Sequence, residues 1–396
     1  MKASLLKKYI SFILLILILI ACQSPAPISG KIEGILKKDL KIYLIQPENL
    51  KEVAASYFGK VIDSAVVNSD GSFKFYHFPK SKEPILLELA LQLPDKYPTY
   101  LQTENTAKSN YMPILWQSGN TIRITAKIDE FQKSFSIENP SKINKTFLEL
   151  RDINQKAYQT YLKDKNWDVH KGDQLLQKEH AILQYQQELI NFADSTELLM
   201  PALLALRWVS PVYNYERVPE FLVNQCNKWK EKAPNHPWVK QLCEQSESSK
   251  LPVLLGDKFP NIKLPMITKD TLNIEKVLGN KLTIIDLWAS WCAPCRKENR
   301  EFLLPIYKEY HKQGLQIIAY GLESDEATWK AAINRDGANI WLHTSELQGD
   351  NALFLKQIRI STIPANFILN NKGIVIAKNI HGNAIKDWVK NYMKNN

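Results

Sequence analysis

The chain lacks any apolar run long enough to cross a membrane. The longest one, Ile10 to Ala21, is interrupted only by Ser11. It is about a dozen residues, whereas a bilayer core needs roughly 20. The chain has one Cys-x-x-Cys pair and no second, and its seven histidines are scattered without metal-ligand spacing. A four-ligand zinc site would therefore miss half its ligands, and no metal or cofactor is expected. The net charge is +10, yet no basic cluster with interleaved aromatics accompanies it, so no nucleic-acid partner is expected. No internal repeat is visible, and glycine almost vanishes between residues 141 and 249.

What is present begins with an address. Lys2, Lys7 and Lys8 precede the short apolar run, the pattern of a secretory signal. Leu19-Ile20-Ala21-Cys22 resembles the bacterial lipobox. The resemblance implies removal of residues 1–21 and lipidation of Cys22. Acyl chains bury CH₂ groups at about 0.8 kcal/mol each, so several make a firm anchor. Residues 22–27 then read as a tether. The expected location is the cell envelope: lipid-anchored, facing the periplasm, with the membrane reached through the lipid alone.

Texture divides the rest. Residues 28–140 alternate in short runs. Asn68-Ser69-Asp70-Gly71 lies between alternating apolar residues, a hairpin signal. A small antiparallel β sandwich or barrel is expected there. Residues 141–250 carry apolar residues at helical spacing, for example Ile182, Tyr185, Leu189 and Phe192. They predict a helical region with breaks near Pro201, Pro211 and Pro234. The polar stretch 243–252 reads as a linker. Residues 251–396 alternate strand and helix: buried strands at 281–290 and 315–323, helices at 295–314, 326–337 and 383–394, and a hairpin over 364–380. This pattern predicts an α/β domain with a βαβ unit and an appended antiparallel pair.

The five cysteines each need an account. Cys292 and Cys295 fall between a predicted strand and a predicted helix. Backbone N–H groups and the helix dipole stabilise a thiolate at such a start. Pro294 suits the first helical turn. A structural bridge across so short a loop restrains little of the unfolded chain, and zinc lacks its other ligands. A redox couple is the strongest reading of the pair. Cys226 and Cys243 flank a turn, and an oxidising compartment permits a bridge between them. Such a bridge would contribute about 3 kcal/mol by loop entropy; two buried thiols are the alternative.

Trp288-Ala289-Ser290-Trp291-Cys292-Ala293-Pro294-Cys295 resembles the thioredoxin-fold signature. More narrowly it resembles the TlpA/ResA-like thiol-disulfide oxidoreductases of bacterial envelopes. Gly256-Asp257-Lys258-Phe259-Pro260, Thr362-Ile363-Pro364 and Phe367-Ile368-Leu369 extend the likeness. It covers residues 251–396 and implies a thioredoxin fold there. It also implies roles. Cys292 would be the nucleophile, Cys295 the resolving thiol, and the two would form the redox disulfide. Asp286 would be a buried base, and Glu298 would tune the thiols. Trp291, Ile363 and a cis Pro364 would contact the partner. Partners would be disulfide-containing or dithiol envelope proteins, with a membrane electron donor if the chain is a reductase. Oxidase or isomerase activity is the alternative within enzymes. A binding or scaffold lipoprotein led by its front half is the alternative outside them. Two departures stand out: Arg300 occupies a position where these proteins commonly have proline, and Pro305 follows instead.

Overall fold

A computed structural model describes residues 26–79, 81–168 and 172–396. The expected signal segment 1–21, Cys22 and the first residues of the tether lie outside the described residues. The chain divides into two compact units, one ending at Gln155 and the other running Lys156–Asn396.

The first unit contains β1 (Ile28–Glu33), β2 (Lys41–Gln46), β3 (Lys60–Val66), β4 (Ser72–Phe75), β5 (Ile85–Gln92), β6 (Tyr111–Trp116), β7 (Ile122–Lys127) and β8 (Ser136–Ile137). Among the described residues they form two four-stranded sheets, ordered β4-β1-β7-β8 and β3-β2-β5-β6. Alternation sets the faces. Phe73 and Phe75 of β4, with Ile122, Ile124 and Ala126 of β7, are buried while their neighbours face outward. The expected antiparallel arrangement is corrected at one pair: β1 and β7 run parallel. They lie far apart in the chain, so no tight turn dictates their relative direction. The expected turn at Asn68–Gly71 forms, with Gly71 N–H donating to Asn68 O at 2.9 Å. Gly71 has φ +84°, and a Cβ there would sit 2.1 Å from Ile32 O, so only glycine fits. The turn does not close a hairpin, however. β3 pairs with β2 and β4 with β1, so the chain passes from one sheet to the other. A short helix α1 (Phe131–Ser134) precedes β8. Helix α2 (Lys142–Tyr161) is tied to the strands at its start. Asn144 accepts from Leu115 N–H at 2.7 Å and donates to Leu115 O at 3.0 Å.

The second unit opens with helices α3 (Gly172–Ser195), α4 (Leu199–Val209), α5 (Pro219–Lys232) and α6 (Pro237–Gln245). Pro201 falls in the first turn of α4, where a missing N–H costs nothing. Pro211 and Pro234 follow helix ends. Cys226 on α5 is bridged to Cys243 on α6, with Cα atoms 5.0 Å apart. The stretch expected as a linker is therefore ordered: Cys243 is pinned by the bridge, and Lys250 Nζ donates back to Glu244 O at 2.8 Å.

The remaining elements are β9 (Lys263–Pro265), β10 (Thr271–Asn273), β11 (Leu282–Trp288), α7 (Ala293–Glu298), α8 (Leu304–Tyr310), β12 (Leu315–Gly321), α9 (Glu326–Arg335), β13 (Leu342–Thr344), α10 (Leu353–Ile358), β14 (Ala365–Asn370), β15 (Val375–Lys378) and α11 (Asn383–Asn395). The sheet order is β13-β12-β11-β14-β15. β11, β12 and β13 are parallel, and β14 and β15 are antiparallel additions. With helices on its faces this is the thioredoxin fold. β11 is buried along its whole length, as a central parallel strand must be. The helix after the dithiol runs unbroken from 293 to 310 but changes its winding part-way. Asn299–Leu303 forms a π turn between α7 and α8, directly before Pro305. Proline supplies no N–H to the preceding turn, and the local widening accommodates that loss.

Candidate active site

Cys292 caps α7. Its backbone is extended, at φ −81° and ψ 95°, and its Sγ accepts the Cys295 N–H at 3.3 Å. The two sulfurs are joined as a disulfide. Cys292 is only 5% exposed and Cys295 is buried beneath it. The two tryptophans before the pair divide: Trp288 is in the core, and Trp291 stands 66% exposed at the rim.

The loop carrying Cys292 is held by Glu323, which follows β12. One carboxylate oxygen accepts the Ser290 N–H and the other accepts the Ser290 hydroxyl at 2.9 Å. Burial pushes the Glu323 carboxyl up, against the opposing pull of these two bonds. Helix α7 is clamped from the other side. Arg296 makes two 2.7 Å hydrogen bonds to the buried Asp336 carboxylate, and Arg300 adds a third at 2.9 Å. Arg300, which departs from the proline of the resembled family, thus serves this clamp.

Two buried carboxyl groups lie near one another, one of them, Glu298, on the helix that carries Cys295. Asp286 is buried on β11. Burial first, and the neighbouring Glu298 second, raise its carboxyl well above the ordinary range. Glu298 is 1% exposed. Its carboxylate accepts from His381 Nδ1 at 2.9 Å and from Gly382 N–H at 3.2 Å. His381 Nε2 is also buried and has no hydrogen-bond partner among the described residues.

The Ile363–Pro364 bond is cis. Pro364 immediately precedes β14, whose Ala365 pairs with Leu287 near the end of β11. The cis bond and the dithiol loop therefore share one end of the sheet. The structure brings Asp286 and Glu298 close to one another, with Glu298 on the helix that carries Cys295, and sets Ile363 and Pro364 at the dithiol end of the sheet. Sequence reasoning missed His381, Glu323 and Asp336. They lie 83, 33 and 40 positions from their partners, and no local spacing marks them.

Residues 254–393 match the Redoxin family model. This stretch is a Redoxin domain, and its curated relatives are thiol-disulfide oxidoreductases. Relatives of this Redoxin domain include the thiol-disulfide oxidoreductase ResA of Bacillus anthracis, 22% identical over 140 residues, which are 35% of this chain and 77% of that one. The sporulation thiol-disulfide oxidoreductase A of Bacillus subtilis is 28% identical over 139 residues, 34% of this chain and 83% of that one. A solved thiol-disulfide oxidoreductase from Bacteroides fragilis is 28% identical, covers 34% of this chain and 98% of its own, and has a TM-score of 0.32. Helix α3 of the helical region packs against α7 of the Redoxin domain. Among the described residues no helix is long and apolar enough to cross a membrane.

Proposed function

We propose that this protein reduces disulfides of envelope proteins, held to the membrane through a lipid on Cys22. The observation that carries the exchange chemistry is Cys292 at the N-cap of α7, where its sulfur already accepts the Cys295 N–H. A thiolate at that point keeps this bond and the favourable end of the helix dipole.

In the reduced protein the Cys292 thiolate attacks one sulfur of a partner disulfide. A new sulfur–sulfur bond forms and the partner's second sulfur leaves as thiolate, to be protonated. Cys295 then loses its proton and attacks Cys292 Sγ. The partner's remaining sulfur is expelled, and the 292–295 bridge closes. Two electrons have passed from the dithiol to the partner. Once ionised, Asp286 is a stronger base than an exposed aspartate, which suits it to take the Cys295 proton. Re-reduction then requires a dithiol donor at the membrane.

Equilibration of the full chain with glutathione or dithiothreitol tests the direction. A reductase should show a potential near the thioredoxin value of about −270 mV. A potential near about −120 mV would make the protein a disulfide donor.

A further inference from the structure

The ledge beside the cis proline is already partly occupied. The loop between α4 and α5, outside the Redoxin match, lies on it. Glu216 Oε2 accepts the Ser361 N–H at 3.0 Å and the Ser361 hydroxyl at 2.5 Å, and Oε1 accepts the Thr362 N–H at 3.0 Å. Arg217 Nη2 donates to Pro364 O at 2.9 Å, and Nη1 donates to Asn379 Oδ1 at 2.9 Å. Its Nε pairs with Glu179 of α3 at 2.8 Å. The backbone groups on both sides of Ile363 are thus taken. Ile363 itself has no backbone hydrogen bond among the described residues.

This loop is built rather than draped. Arg207, buried at the end of α4, donates to Ser210 O at 3.0 Å and to Pro211 O at 2.9 Å, and its guanidinium lies 4.7 Å from the Tyr213 ring centroid. Tyr215 OH donates to Leu206 O at 3.0 Å. Ser210 Oγ accepts the Asn214 N–H at 2.8 Å, and Asn214 Oδ1 accepts the Glu216 N–H at 2.9 Å. Glu216 is therefore held before any partner arrives, and its ordering cost has been met in folding.

We propose that Glu216 and Arg217 are specificity-determining residues that narrow the partner ledge to the single residue Ile363. The proposal rests on the disulfide-exchange reading above. An extended polypeptide docks on an edge through a series of main-chain N–H and C=O groups. Here the edge that Ile363 offers would continue at Ser361, whose N–H Glu216 already holds, and the adjoining Thr362 N–H and Pro364 carbonyl are held by the same two residues. The substrate class that fits is a disulfide presented on a protruding turn of a folded protein, or a small disulfide, rather than one in a long extended segment.

The test uses the prereduced full chain and two probes. One is an unstructured peptide in mixed disulfide with glutathione; the other is hydroxyethyl disulfide, which needs no backbone pairing. Second-order rate constants are measured for wild type, E216A and R217A. In both variants the ratio of peptide to small-disulfide rate should rise about three- to tenfold, the equivalent of releasing one net hydrogen bond. A ratio that stays flat or falls overturns the proposal, including the case in which a distorted ledge lowers both rates together. If one variant fails to fold, the other decides. Wild type that turns over hydroxyethyl disulfide while the variants show no ratio change sinks this inference alone. Wild type inert towards hydroxyethyl disulfide sinks the exchange reading and this inference with it.

Discussion

Asp286 and Glu298 set two buried carboxyl groups beside one another, and burial makes the first of them costly to ionise. Its folded-state pKa is raised above that of an unfolded aspartate. The group therefore favours folding most below about pH 3.9, and that contribution is lost as pH rises through the raised folded value. Asp286→Asn should accordingly melt at a higher temperature than wild type at neutral pH, with the gap closing as pH falls towards about 3.9. The same variant should slow release of a trapped partner at least about tenfold, because the resolving thiol loses its base. Equal melting curves at neutral pH would contradict the buried-acid reading. His381 makes a second prediction. Removing its N–H in His381→Leu leaves the Glu298 carboxylate with Gly382 N–H as its remaining partner, at a cost of about 1–3 kcal/mol. It should also shift the dithiol potential, measured against glutathione. His381→Gln, which keeps a donor, should recover most of both. If leucine changes stability but not potential, the histidine only supports the fold. At this scale the sequence displayed Cys292 and Cys295 through their spacing, and Asp286 only through the resemblance they carry. It could not display His381, because the contact closes across 83 positions.

Helix α7 shows how an element is positioned rather than merely formed. Its sequence predicts a helix beginning at the dithiol, and that is where it begins. Its change to a π turn at Asn299–Leu303 follows from Pro305. Its orientation comes from Asp336 at the end of α9, which receives Arg296 and Arg300 together. The helical pair α5–α6 has a covalent tie instead. The Cys226–Cys243 bridge spans 17 positions. Replacing both cysteines with serine should lower stability by about 3 kcal/mol, read as a fall in the denaturant midpoint. Disulfide exchange at Cys292 should continue in that variant. No change in the midpoint would mean that the unfolded chain gains little freedom when this loop opens. Element types were legible from periodicity. The parallel direction of β1 and β7 was not, because their alternation is the same in either direction.

For the whole molecule, location is a separate test from chemistry. Cys22→Ser in the expressed full chain should move the protein from the membrane pellet to the soluble fraction, since acyl burial at about 0.8 kcal/mol per CH₂ is what holds it there. Retention in the pellet would sink the lipid-anchor reading. The cis Pro364 was expected only from the family resemblance; the chain by itself determined the α/β character of residues 251–396 and the position of the dithiol at a helix start. These are local matters of residue type, period and spacing, and each can be read within one stretch of chain. Tertiary structure alone decided what surrounds them. It joined His381 to Glu298, seated Glu323 on the Cys292 loop, and laid Glu216 and Arg217 across the ledge at Ile363. The reason is physical. A buried carboxylate or an unpaired main-chain N–H must find its partner in space, and packing, not sequence proximity, determines which residue stands there.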